Sequence, residues 1–133
     1  MPIETKLVAL FIPFILFSQN DFKDKNHKHV CDSLIKYYEL DSSFVYSIIQ
    51  RESRFTPNAV NKRSGAYGYL QVMPSSWQKA HKRANATPHF TPLGSLKIGL
   101  WYMDYLKKLA IKKGYKDLNK AIDLGFSKGE TYL

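Results

Sequence analysis

The sequence predicts one small, mainly helical domain of α+β type, with a short extended segment set opposite one of its helices. Three observations predict it. Apolar residues recur at helical spacing over 43–53, and a longer, almost wholly apolar helical stretch covers about 94–113. Between them lies a Gly- and aromatic-rich run, 65–72, whose composition suits extended chain and tight turns. At 133 residues, 44% of them hydrophobic and 14% aromatic, the chain supports one modest core and is too apolar for a disordered tail.

The chain begins with Lys6 ahead of an apolar run over 7–17. A helix needs about 20 such residues to cross a hydrocarbon core of roughly 30 Å, so this run is short for a span. It has the dimensions of a signal-peptide core, with Ser18 as the small residue before cleavage. Residues 1–19 are therefore expected to be a signal peptide or N-terminal membrane anchor, 20–29 a charged linker and 30–133 the domain. Cys31 is the single cysteine, so no intrachain disulfide forms, and it reads as a small buried hydrophobe. His27 and His29 sit two apart in the linker without a cluster of further ligands, which argues against a metal site.

Val30, Leu34, Ile35, Tyr37 and Tyr38 give a short first helix. Asp41 or Ser42 is placed to cap a second. With Phe44 at zero and about 100° per residue, Ile48, Val45 and Ile49 fall near 40°, 100° and 140°, and Glu52 near 80°. Glu52 thus lies in the middle of the apolar stripe, carried inward at the last turn, while Arg51 and Arg54 point elsewhere. A carboxylate in such a place must be hydrogen-bonded or neutral, and a neutral one can donate a proton. The bland alternative is a structural pair with an arginine. Glu52 is also the last acidic residue before Asp104, with Arg54, Lys62, Arg63, Lys79, Lys82, Arg83 and Lys97 in between.

Pro57 prevents the helix from continuing, and 58–65 reads as an exposed loop. In 65–72 the glycines leave backbone room for a ligand, and Tyr67 and Tyr69 offer ring faces or core packing equally well. Gln71 is polar inside an apolar run, which suits a side chain aimed at Glu52, at a ligand, or at a core partner. Pro74 fits the first turn of another helix, with Trp77 turned inward and Lys79, Lys82 and Arg83 on a solvated face. After a loop over 85–92, the long helix leaves only a narrow polar stripe of Lys97, Asp104, Lys107 and Lys108, so it belongs at the centre of the domain. Gly114 ends it.

The net charge of +9 implies an anionic partner, and nucleic acid, anionic lipid and the bacterial wall all qualify. No reader helix, zinc spacing or RNA-binding aromatic motif is present, so nucleic acid is not expected.

Two runs narrow the choice. Glu52-Ser53-Arg54-Phe55-Thr56-Pro57-Asn58-Ala59 matches an ESxFxPxA pattern, and Gly65-Ala66-Tyr67-Gly68-Tyr69-Leu70-Gln71-Val72-Met73-Pro74 follows a GAxGLxQxMP pattern. In that order and spacing they resemble the soluble lytic transglycosylases, goose-lysozyme-like enzymes that cleave peptidoglycan. The resemblance covers about 30–129, strong to Trp77 and weak after Tyr115. Two later motifs depart from the family. Its NIxxGxxYL run reads here as 95–103, with Ser95 for asparagine. Its AxxAYNxG run reads as 121–129, with Phe126 for tyrosine and Ser127 for asparagine. The missing hydroxyl at Phe126 bears on rate and on substrate register.

The resemblance implies a lysozyme-like fold, Glu52 as the catalytic group, and substrate contacts from Ser53, Tyr67, Gln71, Met73, Tyr102 and Phe126. Most glycosidases use two carboxylates. Here Asp104 is expected on the lysine-bearing stripe, which favours a single-carboxylate scheme. In the family, one glutamate protonates the oxygen between N-acetylmuramic acid and N-acetylglucosamine, then acts as base while the muramoyl 6-hydroxyl attacks to give a 1,6-anhydro end. The substrate supplies the nucleophile, so no metal or cofactor is called for. Peptidoglycan strands are the implied partner, in the periplasm or cell envelope, with membrane contact only through the first segment. Secretion-system, conjugation or phage components are further partners the family allows. The rivals are a lysozyme-type muramidase, in which water attacks, and a catalytically weak wall-binding protein.

Overall fold

A computed structural model describes residues 21–76 and 90–133. The first helix, α1 (Lys25–Tyr37), begins where Asp24 accepts hydrogen bonds from the amides of Asn26 and His27. The expected linker over 20–29 is therefore largely ordered structure. The reason is aromatic burial. Phe22 is buried edge-on against Tyr46, Phe55 and Tyr69, with ring centroids 5.7, 5.0 and 4.9 Å away. His27 turns inward as well, its Nδ1 sharing a 2.6 Å hydrogen bond with the Tyr69 hydroxyl. Cys31 and Ile35 are buried one turn apart on the same helix.

Helix α2 (Ser42–Ser53) is capped by Asp41, which accepts from the Phe44 amide at 3.0 Å. Its apolar stripe buries Val45, Ile48 and Ile49, as the periodicity predicts. Arg54 and Phe55 are both left-handed, with φ of 51° and 58°, so the chain turns sharply before Pro57. Phe55 is swung into the core by that turn.

The segment expected to be extended is mostly turns among the described residues. Its β character is two isolated antiparallel bridges, Val60 to Tyr67 and Tyr67 to Val72. What holds it is the long helix beneath, α3 (Pro92–Lys112), whose first turn is capped by the Thr91 hydroxyl. The fully buried Ser95 hydroxyl donates to the Tyr67 carbonyl at 3.0 Å and accepts from the Leu70 amide at 3.1 Å. Approach is close enough that side chains are excluded. A Cβ on Gly68, whose φ is +83°, would lie 2.4 Å from that of Ser95, and one on Gly99 would lie 2.4 Å from Leu70 Cδ1.

Leu96, Ile98, Leu100, Met103, Leu106 and Ala110 are all buried, which confirms α3 as the central helix. Ile111, part of the same apolar series, is exposed in the last turn. Asp104 is buried, and two lysines reach it from the surface side. Lys108 reaches it at 2.9 Å and Lys107 at 3.7 Å, and Lys107 also donates to the carbonyls of Tyr38 and Glu39 at the end of α1. Gly114, with φ of +83°, closes the helix as expected.

Helix α4 (Leu118–Lys128), capped by Asp117, packs on α3 through Ala121, Ile122 and Gly125. A short 3-10 turn (Glu130–Tyr132) follows. The domain is thus mainly α, as predicted. Trp77, Lys79, Lys82 and Arg83 lie outside the described residues.

Two tests follow from this packing. Ser95→Ala removes the partner of the Leu70 amide under α3, and is expected to cost about 1–3 kcal/mol by urea unfolding. Burial pushes the Cys31 thiol up to about 12. Disulfide-exchange reagents at pH 8 should leave it unmodified in the folded protein and titrate it fully in denaturant.

Candidate active site

Glu52 lies at the end of α2 and is less buried than its place in the helical stripe predicts. Its side chain is 26% exposed. The physical reason is the left-handed turn at Arg54 and Phe55, which ends the helix one residue later and leaves the last turn at the rim of the core. Arg51, expected to point away, instead bends onto it, Nε donating to Glu52 Oε2 at 2.9 Å. The rest of the guanidinium reaches α4. Nη1 donates to Asp123 Oδ1 at 2.7 Å and Nη2 to Ser127 Oγ at 3.2 Å, while Ser127 Oγ donates to Asp123 Oδ1 at 3.1 Å. Burial alone would lower the arginine's pKa. The hydrogen bonds to Asp123 and Glu52 outweigh it and hold the guanidinium above its ordinary value. Among the described residues, Glu52 Oε1 accepts no hydrogen bond.

Beside α3 runs an open groove with a cavity volume of about 130 Å³. One wall is Gln71, Val72, Met73 and Ser76. The floor and far wall come from Ile98, Gly99, Trp101, Tyr102 and Tyr105, then Phe126 and Glu130. Four residues expected to contact substrate, Gln71, Met73, Tyr102 and Phe126, are therefore brought together. Met73 is 42% exposed, and the Tyr102 ring lies 6.1 Å from those of Tyr105 and Phe126. Burial raises the Tyr102 hydroxyl's pKa, with the nearby charge of Glu130 adding to it, so the phenol stays a hydrogen-bond donor at neutral pH.

Gln71 is held with φ of +49°, unusual for a side-chain-bearing residue. Its Nε2 accounts for this, donating to the Ala59 and Gly68 carbonyls at 3.0 and 2.9 Å. The amide nitrogen is thus spent on the turn rather than aimed at Glu52.

Two expected substrate contacts, Ser53 and Tyr67, lie away from the groove, and Tyr69, open between ring face and core, proves to be core. Ser53 is buried, and its hydroxyl donates to the Ile49 carbonyl one turn back at 3.1 Å, so it faces the core and not a ligand. Tyr69 is 1% exposed and offers no ring face, since Phe22 and His27 enclose it. Tyr67 is half-buried, donates to Asn58 Oδ1 and meets Phe90 edge-on. It braces the turn and is not among the groove walls.

Glu52 is likewise not a wall residue. Its tie to the groove runs through Arg51 to Ser127, next to the wall residue Phe126. Sequence reasoning misses Arg51, Asp123 and Glu130. The i, i+4 spacing of Asp123 and Ser127 on one helix face was the signal for the first two. Glu130 has none, because its approach to the groove depends on the turn after α4, where the Tyr105 hydroxyl donates to its carboxylate.

The family model of the transglycosylase SLT domain matches residues 30–122, which include α2, the glycine turn, α3 and the first half of α4. No curated protein shows a significant match. That match, over a mainly helical domain with a lone carboxylate at the end of α2 and an aromatic groove on α3, places the chain among transglycosylase-type domains that act on peptidoglycan. It belongs to the transglycosylase SLT domain family.

Proposed function

We propose that this chain is a peptidoglycan lytic transglycosylase in which Glu52 is the single acid and base. The observation that carries the reading is the state of its carboxylate: about a quarter exposed at a helix end, one oxygen held by Arg51, the other unbonded among the described residues. A general acid needs such an oxygen within reach of a substrate.

In the proposed reaction the Glu52 proton passes to the glycosidic oxygen between N-acetylmuramic acid and N-acetylglucosamine, and the C1–O4 bond breaks. The muramoyl O6 then bonds to C1 as its hydroxyl proton passes back to Glu52. Atoms and charge balance without water. The aromatic floor of Trp101 and Tyr102 with Phe126 suits the faces of pyranose rings, and Met73 gives an adaptable edge. Of the other acids, Asp123 is held by Arg51 and Ser127 and Asp104 by two lysines. The exposure of Glu52 also favours a second reading, hydrolysis, because water can reach the same carboxylate. We further propose an exported protein of the cell envelope, on the apolar run over 7–17. Among the described residues no helix is long and apolar enough to cross a membrane.

Glu52→Gln is expected to lower muropeptide release from sacculi by about 10²–10⁴-fold, the usual contribution of a positioned acid or base. Mass spectrometry of the products should show 1,6-anhydro ends, and reducing ends in their place would establish the hydrolase. Tyr102→Ala is expected to raise KM on soluble glycan strands more than it lowers kcat. Unchanged release by the Glu52→Gln protein would remove Glu52 from the chemistry, and sacculus binding without release by the unaltered chain would make it a wall-binding protein.

A further inference from the structure

Neighbouring residues on a helix do not face each other, since they point about 100° apart. Arg51 and Glu52 nevertheless meet at 2.9 Å, through the arginine's Nε rather than its tip. The contact requires the Arg51 side chain to bend across the end of α2, and it is the far end of the fork that holds the bend. Nη1 and Nη2 are bound by Asp123 and Ser127 on α4, and Ser127 closes the ring by donating to the same Asp123 oxygen. An isolated pair on a side chain 43% exposed would contribute little. A planar fork satisfied in three directions by two helices is a different case, because its geometry is set before any substrate arrives.

We propose that Arg51, anchored by Asp123 and Ser127, is the positioning residue that aims Glu52. By holding Oε2 it leaves Oε1 as the oxygen that carries and delivers the proton. Once the Oε1–H bond breaks and the proton is on the glycosidic oxygen, the negative charge left on Glu52 is met by a guanidinium already in hydrogen-bonding position. Asp123 sets the balance by drawing on the same cation, so that Arg51 is shared between two carboxylates. The inference rests on Glu52 being the acid.

The test compares Glu52→Gln, Arg51→Ala, Arg51→Lys and Asp123→Asn in the full chain on soluble, uncross-linked glycan strands. Arg51→Ala is expected to lower kcat by roughly 10- to 100-fold, as small misplacements of a reacting group do, with KM and sacculus binding little changed. Added guanidinium should restore part of that loss. Arg51→Lys, which cannot span three partners, should recover less than guanidinium does, and Asp123→Asn should show a smaller fall in kcat. Thermal unfolding of each variant reports whether it folds. A folded Arg51→Ala protein with wild-type kcat beside an inactive Glu52→Gln protein overturns this inference alone, as does a loss confined to KM. An active Glu52→Gln protein overturns the acid assignment and this inference with it.

Discussion

The seating of the 67–72 turn on α3 is the constraint on which the remaining architecture depends. A buried hydroxyl on Ser95 takes the Leu70 amide and feeds the Tyr67 carbonyl, and two glycines let backbone and helix approach to side-chain-excluding distance. Unpaired polar groups in that position would be expensive, so the turn has one low-energy register. From it Gln71 takes its left-handed shape, and Val72 and Met73 form a wall against Tyr102. The groove is thus a by-product of how a turn is nailed to a helix.

Charge and apolar surface are kept apart around this frame. The groove is lined mainly by aromatic and aliphatic side chains, with Glu130 as its acid, held by the Tyr105 hydroxyl. The Arg51, Glu52, Asp123 and Ser127 cluster bridges the ends of α2 and α4 at the protein's rim. Asp104 and its lysines tie α3 to the end of α1. Asp104 has two lysines of its own, whereas Glu52 and Asp123 share Arg51, each through one oxygen.

The departures at 126 and 127 acquire physical content here. Phe126 contributes a ring to the groove, where an apolar face is useful in its own right. Ser127 has a short hydroxyl that both accepts from Arg51 and donates to Asp123, so it acts as a relay within the cluster. Neither position is an inert replacement.

Much of this was legible from residue order. The period of 3.6 residues places Val45, Ile48 and Ile49 inside and makes α3 central, because helical side-chain direction follows from backbone geometry alone. Asp41 as a cap and Gly114 as a stop are local choices read equally well. Gln71, Met73, Tyr102 and Phe126 line one groove. The helical wheel failed for Glu52 because it assumes that a stripe stays covered to its end, and coverage there is decided by the turn at Arg54 and Phe55. The motif resemblance missed the placement of Ser53 and Tyr67 because a motif match says nothing about which way a side chain turns. Phe22 and His27, charged-linker residues by composition, belong to the core through partners more than twenty residues away. By itself the sequence determined helices, caps and the lone acid, all set by interactions within a few residues. Which oxygen of that acid is held, and by what, was decided by the tertiary structure, because Arg51 and its anchors on α4 are 72 and 76 residues apart and meet only when the helices pack.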